Sequence, residues 1–130
     1  MSNLKLPEKT PMLRVVPMPA DTNPTGDIFG GWIMSHVDIA GGILAQFRSR
    51  GRVVTVAVNS FTFKNPVYVG DVVSFFAEIV RVGTTSITVN VEVYTQRNPE
   101  DVLTFKVTEA TLTYVAVDEQ RRPRPIPQSG

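Results

Sequence analysis

One carboxylate stands inside an otherwise apolar stretch, because Asp38 is the only formal charge between Trp32 and Phe47. An ionised carboxylate loses much of its hydration in apolar surroundings unless hydrogen bonds or an opposite charge compensate it. Carboxylates in such surroundings are often general bases or nucleophiles. Two interpretations stay open: Asp38 is a catalytic group in a pocket, or it faces a solvated notch and accepts structural hydrogen bonds.

A pair of glycines, Gly30 and Gly31, precedes Asp38 at the predicted start of a helix. Free backbone N–H groups at a helix N-terminus can hold a carbonyl oxygen as it gains negative charge. The glycines also have a plain use, which is to relieve crowding where the chain turns into the helix. Because Asp38 follows about two helical turns later, a substrate carbonyl group could meet both.

The other residue types exclude several mechanisms. The chain has no Cys and a single His, which excludes disulfides, a Cys nucleophile and a His/Cys zinc site with the usual number of ligands. His36 and Asp38 are about 200° apart on a helical wheel, so a Ser-His-Asp triad is not expected. We interpret His36 as a core or interface residue. The sequence also lacks the GxSxG, GxGxxG and Walker-type motifs.

Length and composition favour one compact domain, since 130 residues with 42% hydrophobic content can bury one core. Thirteen basic and twelve acidic residues give no field that would indicate a nucleic-acid partner. The first residues form no signal-peptide core and no run is long enough to span a bilayer, so we expect a cytoplasmic protein without a membrane partner. We predict a mobile segment at residues 1–10, one domain at 11–119, and a basic, Pro-rich C-terminal tail at 120–130.

The stretch Gly26–Phe47 is predicted to form the helix that carries Asp38. Apolar residues occupy nearly all of its sides, which is typical of a helix wrapped by the rest of its domain. Gly41 and Gly42 each lower helix propensity by about 1 kcal/mol relative to Ala. They therefore indicate that another part of the protein or a ligand comes very close beside Asp38.

After the helix, β-branched and aromatic residues dominate and predict an antiparallel sheet. Long strand candidates cover residues 52–64, 71–82, 86–97 and 102–117, and a short one precedes the helix at Met12–Met18. In the third, apolar and polar residues alternate from Ile87 to Tyr94, which is typical of a sheet with one buried face. The connections NPVYVG, GTT and NPED are predicted to be tight turns between adjacent strands. The predicted fold class is α+β.

Three segments are informative in combination: TNPTGDIFGGWIMSHVDIAGG, GRVVTVAVNSFTFKNPVYVGDVV and RVGTTSITVNVEVY. Together they resemble the hotdog-fold acyl-CoA thioester hydrolases of the small bacterial cytosolic type, within a match from about Leu13 to Pro127. The resemblance implies a long central helix wrapped by a curved antiparallel sheet. It also implies homodimers with one continuous sheet, usually assembled as a hexamer of three dimers.

The resemblance also assigns roles to residues. Asp38 would be the catalytic carboxylate, as a base or a nucleophile, and Asn23 would be a second catalytic residue that reaches the site from the facing subunit. On its own, Asn23 before Pro24 has a ready interpretation as a turn residue. The backbone N–H of Gly31 would hold the oxyanion, with Gly30 and Trp32 beside the substrate.

Coenzyme A (CoA) carries phosphate groups, which require cations or N–H groups at the mouth of the pocket. The segment RVGTTS resembles the nucleotide-binding turn of similar enzymes, although Thr84 stands where a basic residue is frequent. An ordinary hairpin turn is an equally open interpretation. The predicted contacts are Arg81, Gly83, Thr84 and Ser86. The tail arginines Arg121, Arg122 and Arg124 could supply further charge, or could simply be solvated.

The sequence therefore predicts an acyl-CoA thioesterase without metal or cofactor, with CoA as part of the substrate. A non-catalytic acyl-CoA sensor on the same fold is the alternative. A purely structural oligomerisation domain is a third hypothesis, but it leaves the charge of Asp38 unexplained.

Overall fold

A computed structural model describes residues 4–59 and 61–128 of the chain. In these ranges one α-helix packs against a five-stranded sheet. The elements are β1 (Leu13–Val15), α1 (Gly30–Ser49), β2 (Val53–Asn59), β3 (Val72–Val82), β4 (Ser86–Arg97) and β5 (Leu103–Ala116), with a short 3-10 turn at Pro19–Asp21. The strand order is β1-β3-β4-β5-β2, and every neighbouring pair is antiparallel. The predicted α+β class is confirmed.

The inner face of β4 forms the centre of the core. Its alternating apolar residues are fully buried, whereas the polar residues between them are partly exposed on the outer face. The buried residues are Ile87, Val89, Val91 and Val93. The predicted one-sided burial of this strand is therefore confirmed, because side chains alternate between the two faces of a sheet.

The helix α1 lies across the inner face of the sheet, but the sheet covers only one of its sides. Val37 and Ala40 are completely buried, whereas Ile39 is 49% and Phe47 is 77% exposed. The prediction of a helix wrapped on nearly all sides is wrong for a single chain. Five strands curve around one side of a helix, and the opposite apolar side is left uncovered.

The helix begins at Gly30 rather than at Gly26, because the preceding residues close a loop of their own. Thr22 and Ile28 form an isolated β-bridge, and the Asn23 N–H donates to the Asp27 carbonyl oxygen at 2.7 Å. At the other end, Arg50 adopts a left-handed conformation with φ of 60°, which ends the helix after Ser49.

The connection from β2 to β3 differs from the prediction. The turns GTT and NPED do join adjacent strands, but β2 and β3 are separated by β5 and β4, so the NPVYVG segment is not a tight turn. This connection instead follows β5 and then contacts the loop that precedes the helix. Its backbone is fixed where Lys64 N–H donates to the Val107 carbonyl and where Ile28 N–H donates to the Val67 carbonyl.

The C-terminal segment belongs to the fold, in contrast to the predicted tail outside the core. Ile126 is 3% exposed within the hydrophobic core, and its N–H donates to the Thr84 carbonyl at 2.8 Å. Arg124 donates to the Ser49 carbonyl at 3.0 Å and to the Val117 carbonyl at 3.0 Å. Ile126, in the core, and Arg124, at the C-terminal end of α1, thus bind this segment to the domain.

The ends of the chain fall partly outside the described residues, namely 1–3 and 129–130 of the predicted terminal segments. Residues 4–10 form no helix or strand. The Leu4 N–H donates to the Thr104 carbonyl at 3.4 Å.

Candidate active site

Asp38 lies in a groove between α1 and the edge of the sheet formed by β2 and β5. The groove has a volume of about 310 Å³. It is lined by Asp38, Ile39, Gly42, Ile43, Gln46, Val53, Thr55 and Tyr114. Asp38 is partly buried and lines the groove, so a molecule that enters the groove can contact it.

One oxygen of the Asp38 carboxylate is fixed by two hydroxyl groups. Thr55 donates through Oγ1 to Oδ1 at 2.7 Å. The Tyr114 hydroxyl lies 3.1 Å from the same Oδ1 and 2.9 Å from the Asp38 carbonyl oxygen, and it can donate to either. No group of residues 4–59 and 61–128 donates a hydrogen bond to Oδ2. The carboxylate therefore has one anchored oxygen and one oxygen available to water or substrate.

The pairing of β2 with β5 brings the two hydroxyls together. Thr55 and Tyr114 are directly opposite each other in the antiparallel register, so both side chains lie on the same face of the sheet. The register shifts between Thr55 and Ala57, where β2 carries a bulge. Bulges are frequent beside active sites because they redirect side chains.

Neither of these two donors to Asp38 was predicted from the sequence. Neither Thr55 nor Tyr114 belongs to a local motif, and they are 17 and 76 residues from Asp38 in the chain. Gly41 carried an indirect signal: a Cβ atom placed there would lie 2.5 Å from the Tyr114 hydroxyl oxygen. The glycine pair predicted that another group comes very close to the helix. At Gly41 this group is the Tyr114 side chain.

The Tyr114 hydroxyl is a hydrogen-bond donor under ordinary conditions. Burial raises the pKa of Tyr114 far above its usual value, and the charge of Asp38 and the hydrogen bond to it raise the pKa further. The phenol therefore keeps its proton, and its contact with the carboxylate is an attractive hydrogen bond.

Asn23 lines a second cavity at the start of α1, with a volume of about 330 Å³. Its side-chain oxygen accepts hydrogen bonds from Thr25 N–H at 3.0 Å, Thr25 Oγ1 at 2.8 Å and Asp27 N–H at 3.1 Å. Two of the donors are backbone N–H groups, which identifies the facing atom as oxygen. The side-chain NH₂ then points away from the loop, and no hydrogen bond from it to a described residue is present. Asn23 is therefore a turn residue whose side-chain NH₂ group can donate a hydrogen bond to another molecule.

Gly30 and Gly31 form the first turn of α1. The N–H groups of Trp32 and Ile33 both donate to the Phe29 carbonyl, whereas those of Gly30 and Gly31 have no backbone acceptor in the described part of the chain. Gly31 is exposed, and a Cβ atom at this position would meet no atom within 4 Å. The predicted oxyanion donors are thus available at the surface.

A single chain does not bring the two groups of residues together. Asp38 is seven positions after Gly31, which places their backbones about 10 Å apart along the helix axis. One substrate carbonyl therefore cannot contact both within the same chain. The predicted combination of Asp38 with Gly31 and Asn23 is therefore not formed within one chain.

Trp32 lies on neither cavity wall. Its ring is 4.3 Å from that of His36 and 6.4 Å from that of Phe75, measured between centroids. The His36 Nδ1 lies 2.8 Å from the Trp32 carbonyl oxygen. His36 thus packs in an aromatic cluster away from Asp38, as the helical wheel predicted. The role of Trp32 beside the substrate stays a prediction.

The RVGTTS segment is a hairpin turn that the C-terminal segment covers in part. Gly83 N–H donates to the Ser86 carbonyl at 2.7 Å, and Thr84 accepts from Ile126. Arg124 donates to backbone carbonyls at the end of α1, so the prediction that it could serve the CoA phosphates is replaced by a structural role. Arg81 is exposed and keeps its predicted role as a candidate contact.

Residues 4–59 and 61–128 form neither a metal-binding cluster nor a membrane-spanning helix. No cluster of three or more His, Cys, Asp or Glu side chains is placed to hold a metal ion among them. In the same residues, no helix combines the length and the apolar character needed to cross a bilayer. The cytoplasmic location stays a prediction.

Comparison with known proteins identifies the family. The model of the thioesterase superfamily matches residues 25–101, which include α1, β2, β3 and β4. The chain belongs to the thioesterase superfamily. An acyl-CoA thioester hydrolase of Salmonella typhimurium, YciA, is 51% identical to this thioesterase over 126 residues, which cover 95% of both chains.

Solved structures of other thioesterases have the same fold. A hexameric broad-specificity acyl-coenzyme A thioesterase is 44% identical, with a TM-score of 0.89 over 97% of this chain and 86% of the other. A hexameric hotdog-fold thioesterase of Campylobacter jejuni is 45% identical, with a TM-score of 0.88 over 92% of each chain. The predicted hotdog fold and the predicted thioester hydrolase are both confirmed.

Proposed function

We propose that this thioesterase hydrolyses acyl-CoA to a carboxylic acid and free CoA, with Asp38 as the catalytic carboxylate. The arrangement of Asp38 carries this assignment, since one oxygen is anchored and the other is available in an open groove. The apolar side chains of Ile39, Ile43 and Val53 line the same groove and suit an acyl chain. Relatives named acyl-CoA thioester hydrolases support the choice of substrate.

In the proposed reaction, a water molecule attacks the thioester carbon while Oδ2 of Asp38 takes one of its protons. The tetrahedral intermediate then collapses with cleavage of the carbon–sulfur bond, and the proton passes to the sulfur of the departing CoA. General-base catalysis of this kind contributes about 10²–10⁴ in rate. In the alternative, Asp38 itself attacks the thioester carbon in the same groove. The carbon–sulfur bond breaks, CoA departs as its thiolate, and water then cleaves the resulting anhydride.

We propose that two copies of the chain complete the site. Asp38 of one copy would face Asn23 and Gly31 of the other, whose free side-chain NH₂ and N–H groups would hold the oxyanion. The sheet supports this arrangement because β2 lies at its edge, with Val56 56% and Val58 41% exposed. Pairing of two such edges would extend the sheet and cover apolar surface that a monomer leaves in water.

The exposed side of α1 provides a second surface for assembly. Phe47 and Ile39 are apolar residues with large exposed fractions on this helix. Solved relatives are hexameric, and we propose that this chain forms a trimer of dimers. Light scattering that gives a monomer mass at micromolar protein concentration would contradict this assembly.

The anionic end of CoA requires cations beyond the groove. The groove extends along α1 from Asp38 to Gln46, towards the helix end where the C-terminal segment lies. Arg81, Arg121 and Arg122 are exposed, and they are our candidates for the phosphate contacts, together with the backbone of the turn at Gly83, Thr84 and Ser86.

The test is thiol release from acyl-CoAs of increasing chain length, with Asp38→Asn beside the wild type. Asp101→Asn is the matched control, because Asp101 is an exposed loop residue. We expect turnover in the wild type and the control, and a loss of at least about a hundredfold in Asp38→Asn with unchanged CoA binding. Binding without thiol release in the wild type would instead favour the sensor hypothesis.

A further inference from the structure

The side chain of Tyr114 reaches α1 at the point where Gly41 lacks a side chain. A Cβ atom at Gly41 would lie 2.5 Å from the Tyr114 hydroxyl oxygen and 3.2 Å from two ring carbons. Both distances are shorter than ordinary van der Waals contact. The glycine is therefore a steric requirement of this tyrosine, and the two residues form one structural unit.

Tyr114 is held more firmly than the other donor to Asp38. It is 1% exposed and belongs to the hydrophobic core on β5, which pairs with a strand on each side. Thr55 is exposed and lies on the edge strand β2. A buried aromatic ring has few alternative rotamers, so its hydroxyl has a well-defined position.

The Tyr114 hydroxyl also contacts two parts of the same residue. It lies 2.9 Å from the carbonyl oxygen and 3.1 Å from Oδ1 of Asp38. An aspartate on a helix surface can rotate about its side-chain bonds, whereas a donor shared between its backbone and its carboxylate favours one rotamer. In that rotamer, Oδ2 is the oxygen left for substrate or water.

We propose that Tyr114 is the positioning residue of the catalytic carboxylate and that Gly41 admits its hydroxyl. This inference rests on the proposed role of Asp38. Tyr114 acts on the reaction only through Asp38, because its hydroxyl is occupied by that residue. Its removal therefore lowers the fraction of correctly placed carboxylate, which reduces kcat and leaves substrate affinity nearly unchanged.

The experiment is steady-state thiol release from an acyl-CoA by Tyr114→Phe, which removes the hydroxyl and keeps the ring. We expect kcat to fall by about tenfold to a hundredfold while KM changes by less than about twofold. Tyr94→Phe is the matched control, because this tyrosine lies on the outer face of β4 with its ring 5.9 Å from Phe76. The control should retain wild-type kcat.

A second pair of variants separates positioning from a general loss of structure. In the Asp38→Asn background, Tyr114→Phe should cause no further loss, because the group that it positions is gone. Gly41→Ala should also lower kcat, because the added methyl group displaces the Tyr114 hydroxyl without removing it. Light scattering should show the wild-type assembly in Tyr114→Phe.

The outcomes separate this inference from the proposed function. A wild type without thiol release on any acyl-CoA would refute the proposed function itself. Turnover in the wild type together with unchanged kcat in Tyr114→Phe, an additive loss in the double variant, or loss of assembly in Tyr114→Phe would overturn the positioning role alone.

Discussion

Alanine substitutions at the adjacent glycines of α1 should change stability in opposite directions. A Cβ atom at Gly41 would lie 2.5 Å from the Tyr114 hydroxyl oxygen, whereas one at Gly42 would lie 3.7 Å from the nearest ring carbon. The first distance is a clash and the second is ordinary contact. Both residues lie inside the same helix, so the backbone contribution is the same at the two positions.

The magnitudes follow from three contributions to the free energy of unfolding. Replacing Gly by Ala within a helix raises it by about 1 kcal/mol at either position. At Gly41, overpacking against a buried ring lowers it by about 1–3 kcal/mol, and a disturbed hydrogen bond lowers it by about 1 kcal/mol more. Gly42→Ala should therefore stabilise the protein by up to about 1 kcal/mol, and Gly41→Ala should destabilise it by about 1–3 kcal/mol.

Urea denaturation of both variants measures this difference, at one fixed protomer concentration because the stability of an oligomer depends on concentration. In the Tyr114→Phe background, Gly41→Ala should lower the free energy of unfolding by less, since the hydroxyl oxygen at 2.5 Å is then absent. Equal changes in the two variants, or a stabilising Gly41→Ala, would refute the steric reasoning. A destabilising Gly42→Ala would refute the statement that ordinary contact surrounds this position.

Three further changes test contacts that support the site. Arg124→Met removes donors to the carbonyls at the end of α1 and should lower the free energy of unfolding by about 2 kcal/mol in urea denaturation. Asp71→Asn leaves the Arg97 guanidinium without its buried partner at 2.9 Å and should lower the same quantity by about 3 kcal/mol. The hydrogen bond from Lys106 lowers the pKa of Glu109 below its ordinary 4.5, so this pair stabilises the fold above that pH. The stability difference between wild type and Lys106→Met should be at most about 1 kcal/mol at pH 7 and should shrink as the pH falls through 4.5 and below.

Local patterns in the sequence were sufficient for the elements and for the central carboxylate. Alternation predicted β4 at Ser86–Arg97 with the bounds that the structure has. A single charge in an apolar helix singled out Asp38, because few residues are placed in such surroundings without a use. The resemblance supplied the hotdog fold, which the comparisons confirmed.

Contacts between residues far apart in the chain could not be predicted from local sequence patterns. Thr55 and Tyr114 approach Asp38 only because β2 pairs with β5 in one register, and no local motif sets that register. The place of Ile126 in the core was hidden by the basic and proline-rich composition around it. The prediction for the exposed side of α1 was wrong because we attributed its apolar residues to burial within one chain. We propose that a second copy covers it.

Complementation between two inactive variants tests the central claim, that acyl-CoA hydrolysis takes place at a site shared by two copies. Asp38→Asn and Asn23→Ala would be expressed together, and thiol release would be compared with that of each variant alone. With random pairing, about half of the dimers are mixed, and a mixed dimer has both native residues at one of its two sites. Recovery of about a quarter of wild-type activity is therefore expected. Activity no higher than that of the separate variants, in mixed assemblies verified by mass, would show that the two residues act within one chain and would contradict the account.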